Sequence, residues 1–235
     1  MNYSFDNYWK NIFQNRTKND YKTQSIQSEE IIDWHRKYIQ DFTANQFKYQ
    51  NPRVLDIGCG SGYLTNLFCQ FSHEVFGIDY EEGFILDAKS KYSEPKFLTG
   101  DIYNLDKIEG VFDLVVCFGV LQHISDLERA LKNIKSKLSK RSHSRALITT
   151  VNYNSIFHGK NLSFKFSNPK PTEKFNYNMF SKEQYDYLSK LSGLKLTRYE
   201  YMYVLPRFLA PSRFFVKRLL PSFFSHHVFI EMQNA

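Results

Sequence analysis

Short apolar runs alternate with longer polar and amphipathic segments over the first two thirds of the chain. The apolar runs, which we predict to be strands, fall at 54–57, 73–80, 97–102, 112–119 and 146–151. The segments at 63–71, 81–91 and 127–138 have helical spacing. Continuous apolar runs are typical of strands buried in a parallel sheet, and their alternation with helices predicts a doubly wound α/β fold.

The remaining segments extend this plan on both sides. The stretch from Ser28 to Ile39 predicts a helix with Ser28 as its N-cap, whose Ile31, Trp34, Tyr38 and Phe42 pack on the sheet. A helix at 181–191 and strands at 195–204 and 228–232 follow an irregular insertion. We therefore expect one domain over 1–235, with an N-terminal helical cover (1–50), a core (53–152) and a C-terminal part (153–235).

Glycine recurs at alternate positions directly after the first predicted strand, as Gly58, Gly60 and Gly62. Such a turn lets a ligand approach the backbone, and the following helix presents unpaired N–H groups. The dinucleotide fingerprint G-x-G-x-x-G requires its last glycine where Tyr63 stands, and no Walker-type lysine follows. The pattern indicates a small-molecule site that is neither a dinucleotide fingerprint nor a phosphate loop.

Acidic residues end the second and third predicted strands. Ligands of open α/β sheets bind beyond the carboxyl ends of the strands, which brings Asp79 and Asp101 to the same edge as the glycines. Asp79 follows the glycine turn at the spacing of an acid that accepts both ribose hydroxyls. Asp101 and the amide of Ile102 suit an adenine ring. In the alternative interpretation, each acid only caps the next helix.

These blocks, taken together, resemble the class I S-adenosylmethionine-dependent methyltransferases. The stretch from Asp56 to Gly62 is similar to motif I of that family, D/E-x-G-x-G-x-G. Later blocks at 75–79, 99–102 and 112–126 follow in the family's order, and the resemblance is nearest to enzymes of the ubiquinone-biosynthesis O-methyltransferase type. It implies a Rossmann-like, mostly parallel seven-stranded sheet, S-adenosylmethionine as cofactor and direct methyl transfer.

The resemblance also implies roles for individual residues. The implied cofactor-binding residues are Asp56, Gly58, Cys59, Gly60, Gly62, Asp79, Tyr80, Asp101, Ile102, Cys117 and Phe118. Asp56 would lie near the cofactor's amino group, and Cys117 with Phe118 would form the wall beside the sulfonium. Tyr80 either packs on the adenosine or points outward.

His123 is the candidate catalytic residue, because it is the histidine inside the motif that follows the fourth strand. It would act as a general base or orient the acceptor, or else it only fixes its loop through a backbone hydrogen bond. The motif of amino-methylating DNA enzymes is absent after this strand, and we expect no metal site. We favour an oxygen of a small-molecule, glycan or lipid-like acceptor. An N-methyltransferase of a small amine or RNA base, or a non-catalytic cofactor-binding partner protein, remains the alternative.

Charge and composition restrict the partners. The formal net charge is +7, but the basic residues are spread along the chain, which argues against a nucleic-acid partner. The segment 206–224 mixes basic and apolar residues and predicts either peripheral membrane contact or a hairpin on the sheet edge or on a second copy in a homodimer. The three cysteines have no metal-binding spacing, and neither a signal-peptide pattern nor a spanning run is visible, so we expect a cytoplasmic protein.

Overall fold

The computed structural model describes residues 29–47, 51–154, 179–202, 225 and 227–235. The helices are α1 (Glu29–Gln46), α2 (Tyr63–Leu67), α3 (Glu82–Lys91), α4 (Leu127–Lys137) and α5 (Lys182–Leu191). The strands are β1 (Arg53–Ile57), β2 (Glu74–Asp79), β3 (Lys96–Thr99), β4 (Leu114–Phe118), β5 (Arg145–Val151), β6 (Leu194–Met202) and β7 (His227–Asn234). Short 3-10 turns cover Phe68–Gln70 and Leu121–His123.

The described strands form one seven-stranded sheet in the order β3-β2-β1-β4-β5-β7-β6. β1 is parallel to β2 and to β4, and β2 is parallel to β3. β7 is antiparallel to both β5 and β6. The predicted mostly parallel, seven-stranded α/β fold is confirmed.

The central strands form where the chain is continuously apolar. All side chains of β4 are buried, as are those of β1 after Arg53, which is what a parallel strand covered on both faces requires. β3 ends at Thr99, earlier than predicted, because Asp101 enters a tight turn in which Asn104 N–H donates to the Asp101 carbonyl at 2.8 Å.

The prediction of which face of α1 packs into the core was wrong by one position. The buried stripe consists of His35, Ile39, Thr43 and Phe47. Trp34, Tyr38 and Phe42 are only half-buried and stack on one another with ring centroids 5.0 and 5.8 Å apart. These i, i+4 aromatic contacts stabilise the helix itself, so the rings need not enter the core.

Backbone contacts divide the protein into two compact units. The first contains the described residues up to Val116 together with Ser136–Ser144, and its core includes Ile85, Ala88 and Phe97. The second contains Cys117–Lys135 and the described residues from Arg145 onward, with Tyr185 and Phe229 fully buried. The proposed three-part division of a single domain stays a prediction.

Several predictions fall on residues outside the described ranges. They concern most of the N-terminal cover, the insertion at 155–178 and the basic, apolar segment 206–224. Among the helices that the structure does describe, none combines the length and apolar character needed to cross a membrane.

Candidate functional site

The glycine turn after β1 is anchored on the end of β2. Gly58, Gly60 and Gly62 have φ angles of 78°, 53° and 81°, in the left-handed region that favours glycine. The Ile78 carbonyl accepts hydrogen bonds from the amides of Gly58 and Cys59, at 2.8 and 2.9 Å. The turn is therefore a fixed part of this sheet edge.

Gly60 and Gly62 serve different purposes. A Cβ added at Gly62 would lie 2.6 Å from Phe97 Cζ and 3.1 Å from Ala88 Cβ, so this glycine permits close packing of the turn on the core. A Cβ added at Gly60 would meet no atom within 4 Å. Gly60 therefore presents bare backbone to open space, as a site for a closely held ligand requires.

The Asp79 carboxylate connects this turn to the next one. Its Oδ2 accepts from the Gly60 amide at 2.9 Å, and its Oδ1 accepts from the Glu81 amide at 2.9 Å. Each oxygen keeps a further lone pair, so Asp79 stabilises the turn and still has acceptors for a ligand hydroxyl. Burial raises the pKa of Asp79 to about 6, although the hydrogen bonds from Glu81 and Gly60 oppose the rise.

Asp56 lies at the same edge, on β1, and is nearly fully buried. Its Oδ2 accepts a hydrogen bond from the Thr65 hydroxyl at 2.6 Å. Burial raises the pKa of Asp56 to about 7; the Thr65 hydrogen bond lowers it, and the negative charge of Asp79 adds to the rise. Thr65 was not predicted as a site residue, because no sequence pattern marks the helix position that faces this carboxylate.

The predicted adenine-side residues are found in a turn. Asp101 is exposed, and its Oδ1 accepts from the Tyr103 amide at 2.8 Å, so it closes a turn that no helix follows directly. The neighbouring Ile102 is buried. Tyr80, directly after Asp79, is 44% exposed.

Cys59 contributes a neutral thiol to the turn. Its side chain packs against the cluster of Ile85, Ala88 and Phe97. Burial, together with the charges of Asp79 and Asp56, raises the pKa of this thiol well above its usual range. Cys59 is therefore an uncharged residue that packs the turn against this cluster, and it is a poor nucleophile.

The second unit carries the other predicted residues. Cys117 and Phe118 end β4 and are buried, and the Gly119 amide after them donates to the Thr149 carbonyl at 2.9 Å. His123 closes the 3-10 turn, where its amide donates to the Val120 carbonyl at 2.8 Å. Burial lowers the pKa of His123 to about 4, so the imidazole is neutral at physiological pH.

Gln122, beside His123, was not predicted as a site residue. Its side chain is buried, and its Oε1 has no hydrogen-bond partner among the described residues. A buried amide oxygen without a donor is costly, so this acceptor is available for a ligand or water. Nothing in the sequence separates Gln122 from an ordinary polar turn residue.

The chemistry of the first unit fits S-adenosylmethionine. The open Gly60 backbone provides a cradle, and Asp79 has acceptors left for ribose hydroxyls. Neither Asp56 nor Asp79 forms an ion pair with a basic side chain in the described part of the chain. An acidic site of this kind suits a ligand with an ammonium and a sulfonium group and disfavours a phosphate. The described residues contain no group of three or more His, Cys, Asp and Glu that would hold a metal ion.

Comparison with known proteins agrees with this geometry. Residues 55–143 match a family model described as a methyltransferase domain. The chain is 28% identical over 176 residues to malonyl-[acyl-carrier protein] O-methyltransferase of Priestia megaterium, covering 71% of this chain and 63% of the relative. It is 28% identical over 123 residues to ubiquinone biosynthesis O-methyltransferase of Coxiella burnetii, covering 50% of each chain. The chain thus spans less than two thirds of the length of these curated relatives.

A solved structure shows the same fold. Magnesium protoporphyrin IX methyltransferase from Synechocystis PCC 6803, with bound SAH, aligns with a TM-score of 0.62 at 15% identity, covering 98% of this chain and 94% of that one. At this identity the likeness concerns the fold alone. The match over residues 55–143, which include the glycine turn and the strand-end acids, identifies a methyltransferase domain in this chain, and the fold agrees with that match.

Proposed function

We propose that the protein transfers a methyl group from S-adenosylmethionine to an oxygen atom of a small-molecule, glycan or lipid-like acceptor. The observation that carries the proposal is the contact of Asp79 Oδ2 with the Gly60 amide, which joins the acid that we assign to the ribose to an open glycine turn. Transfer to oxygen is supported by the names of the malonyl-[acyl-carrier protein] and ubiquinone-biosynthesis relatives, both of which are O-methyltransferases.

The residues of the first unit would hold the cofactor. The backbone of the turn and Asp56 would contact its methionine part, Asp79 its ribose, and Asp101 with Ile102 its adenine. When bound, the cofactor supplies an electrophilic methyl group on a sulfonium. The work of the protein is then to align the acceptor oxygen and exclude water.

We also assign Cys117 and Phe118, which end β4, to the wall beside the sulfonium, as the family resemblance implies. Both side chains are buried and uncharged, as a water-excluding wall requires.

We assign His123 the role of orienting the acceptor. Because its pKa is lowered to about 4, its imidazole is neutral and accepts a hydrogen bond from an acceptor hydroxyl. The same low pKa makes it a weak base, so a proton-abstracting role requires the bound acceptor to raise the pKa. In the competing role, His123 only stabilises its turn.

The first test is transfer of isotopically labelled methyl from the cofactor into fractionated extract, followed by identification of the atom that carries the label. We expect label on oxygen in a small-molecule or lipid fraction. Label on nitrogen would overturn the O-methylation proposal. Tight cofactor binding without transfer into any fraction would identify the protein as a non-catalytic binder.

The second test uses His123→Ala and His123→Gln with the acceptor so identified. If His123 orients the acceptor, His123→Ala lowers kcat/KM by about tenfold to a thousandfold, and His123→Gln, which keeps a hydrogen-bond acceptor, recovers part of the loss. S-adenosylhomocysteine binding should be unchanged in both variants. Turnover close to that of the natural protein in His123→Ala would remove His123 from the chemistry.

A further inference from the structure

Asp56 and Asp79 form an acidic pair without a basic partner among the described residues. They belong to β1 and β2, which are paired in parallel with Ile57 opposite Ile78. Their hydrogen-bond donors are uncharged: the Thr65 hydroxyl and the amides of Gly60 and Glu81. The described part of the chain thus holds two carboxylates at one sheet edge and no cation that pairs with them.

The other titratable groups found beside this pair among the described residues are themselves acidic. They are the Glu81 carboxylate, at the N-cap of α3, and the Cys59 thiol in the turn, whose own pKa both aspartates raise. The negative charge of Asp79 raises the pKa of Asp56, and the negative charge of Glu81 raises that of Asp79. These charges add to the effect of burial, which is the largest cause of the raised pKa of both carboxyls.

Building on the proposed function, we propose that S-adenosylmethionine and its demethylated product bind with release of a proton from the Asp56–Asp79 pair, which makes cofactor affinity sensitive to pH. The amino-acid part of both ligands is a zwitterion, and its ammonium group, placed toward the pair, supplies the positive charge that the described side chains lack. Ligand binding therefore favours the doubly ionised pair, and a pair that still holds a proton must lose it.

The direction in which cofactor affinity changes with pH follows from the pKa values of the ligand-free protein, about 7 for Asp56 and about 6 for Asp79. Above these values the pair is ionised before binding and no proton moves. Below them binding must displace protons, so affinity falls as the pH falls from about 7.5 to about 5.5, by roughly tenfold or more. At about pH 6.5 the protonated fractions of the Asp56 and Asp79 carboxyls add up to about one, so we expect about one proton released per ligand bound.

The experiment is calorimetric titration of the full chain with S-adenosylhomocysteine, which binds without methyl transfer. Titrations at about pH 6.5 in buffers of different ionisation enthalpy give the number of protons released, and titrations from about pH 5.5 to 7.5 give the affinity profile. The prediction is about one proton released and a tenfold or greater loss of affinity at the acid end.

Asp56→Asn keeps the shape of the side chain but removes its titration, so proton release should fall to less than about half. Asp106→Asn, at an exposed acid of the same unit, is the matched control and should release as many protons as the natural protein. Thr65→Val provides a second route if Asp56→Asn fails to fold. Without the Thr65 hydroxyl the pKa of Asp56 rises further, and the affinity profile moves to higher pH.

The outcomes separate this inference from the proposed function. Binding of S-adenosylhomocysteine with constant affinity across the pH range and equal heat in all buffers would overturn the proton coupling alone. Proton release that Asp56→Asn leaves unchanged would overturn the assignment to this pair. No binding of either the cofactor or its product at any pH would count against the proposed function itself.

Discussion

Gly60 and Gly62 share a left-handed backbone, but the structure needs them for different reasons. Replacing Gly62 by Ala forces a Cβ against Phe97 in addition to backbone strain, so we expect the free energy of unfolding to fall by about 2 to 4 kcal/mol. Replacing Gly60 by Ala adds only backbone strain, about 1 kcal/mol, because the new Cβ meets no protein atom.

Urea unfolding and S-adenosylhomocysteine titration distinguish these two effects. Gly60→Ala should weaken ligand binding more than it weakens the fold, since its Cβ projects where the ligand approaches the backbone. Equal losses of stability in the two variants, with unchanged ligand affinity in Gly60→Ala, would contradict the assignment of the open space to the ligand.

Asp56 gives a pH-dependent prediction for stability. Its pKa rises on folding from the usual 3.8 to about 7, so its contribution to stability is complete below pH 4 and is lost as the pH rises through about 7. Asp56→Asn should therefore stabilise the ligand-free protein by up to about 4 kcal/mol near pH 8. Near pH 4 it should bring no gain.

Thermal or urea unfolding across that pH range checks the prediction, with Asp106→Asn as the exposed control. A gain that is the same at both ends of the range would show that the substitution acts through packing and that the carboxyl is not held at a raised pKa.

Among individual site residues, the sequence predicts those that belong to a repeating pattern or end a strand. The alternate glycines and the strand-end Asp79 stand out because turn chemistry and topology both select them. Thr65 and Gln122 do not, because their importance comes from tertiary contacts: Thr65 faces Asp56 only after α2 has folded back on β1. Gln122 becomes notable only once its amide oxygen is buried without a donor.

Among the secondary-structure elements, α5 begins with a complete capping box. The Ser181 hydroxyl accepts from the Gln184 amide at 3.4 Å, while Gln184 Oε1 accepts from the Ser181 amide at 2.7 Å. Ser181→Ala removes the first of these two hydrogen bonds and should lower the free energy of unfolding by about 1 kcal/mol.

Lys182→Ala, at the exposed first residue of the same helix, serves as the control and should cost much less. Urea unfolding measures both. If the two variants lose the same stability, the box does not stabilise the start of α5.

The hydrophobic pattern predicts the positions of the helices and strands well. It predicts less well which face of a helix is buried. The strand and helix positions in the core follow from apolar runs and caps. The face of α1 was predicted one position away, because aromatic residues at i, i+4 spacing indicate a core stripe whether they enter the core or stack on each other. Spacing alone cannot distinguish these outcomes, since both satisfy the same periodicity.

For the whole molecule, alternation of strands and helices predicts the parallel half of the sheet. The insertion of β7 between β5 and β6 is not visible in that pattern, because antiparallel pairing of the last strands depends on contacts distant in sequence. The family resemblance supplied the seven-stranded sheet. Neither pattern nor resemblance identifies the acceptor, because methyltransferases share the cofactor edge and differ in what they bring to it.

If the glycine turn and the strand-end acids bind S-adenosylmethionine, calorimetric titration near pH 7.5 will separate the natural protein from Asp79→Asn. We expect saturable binding of the cofactor by the natural protein and by the control Asp106→Asn, and a loss of affinity of about tenfold or more in Asp79→Asn. Absence of binding by the natural protein, or equal affinity in Asp79→Asn, would show that this turn and these acids do not hold the cofactor.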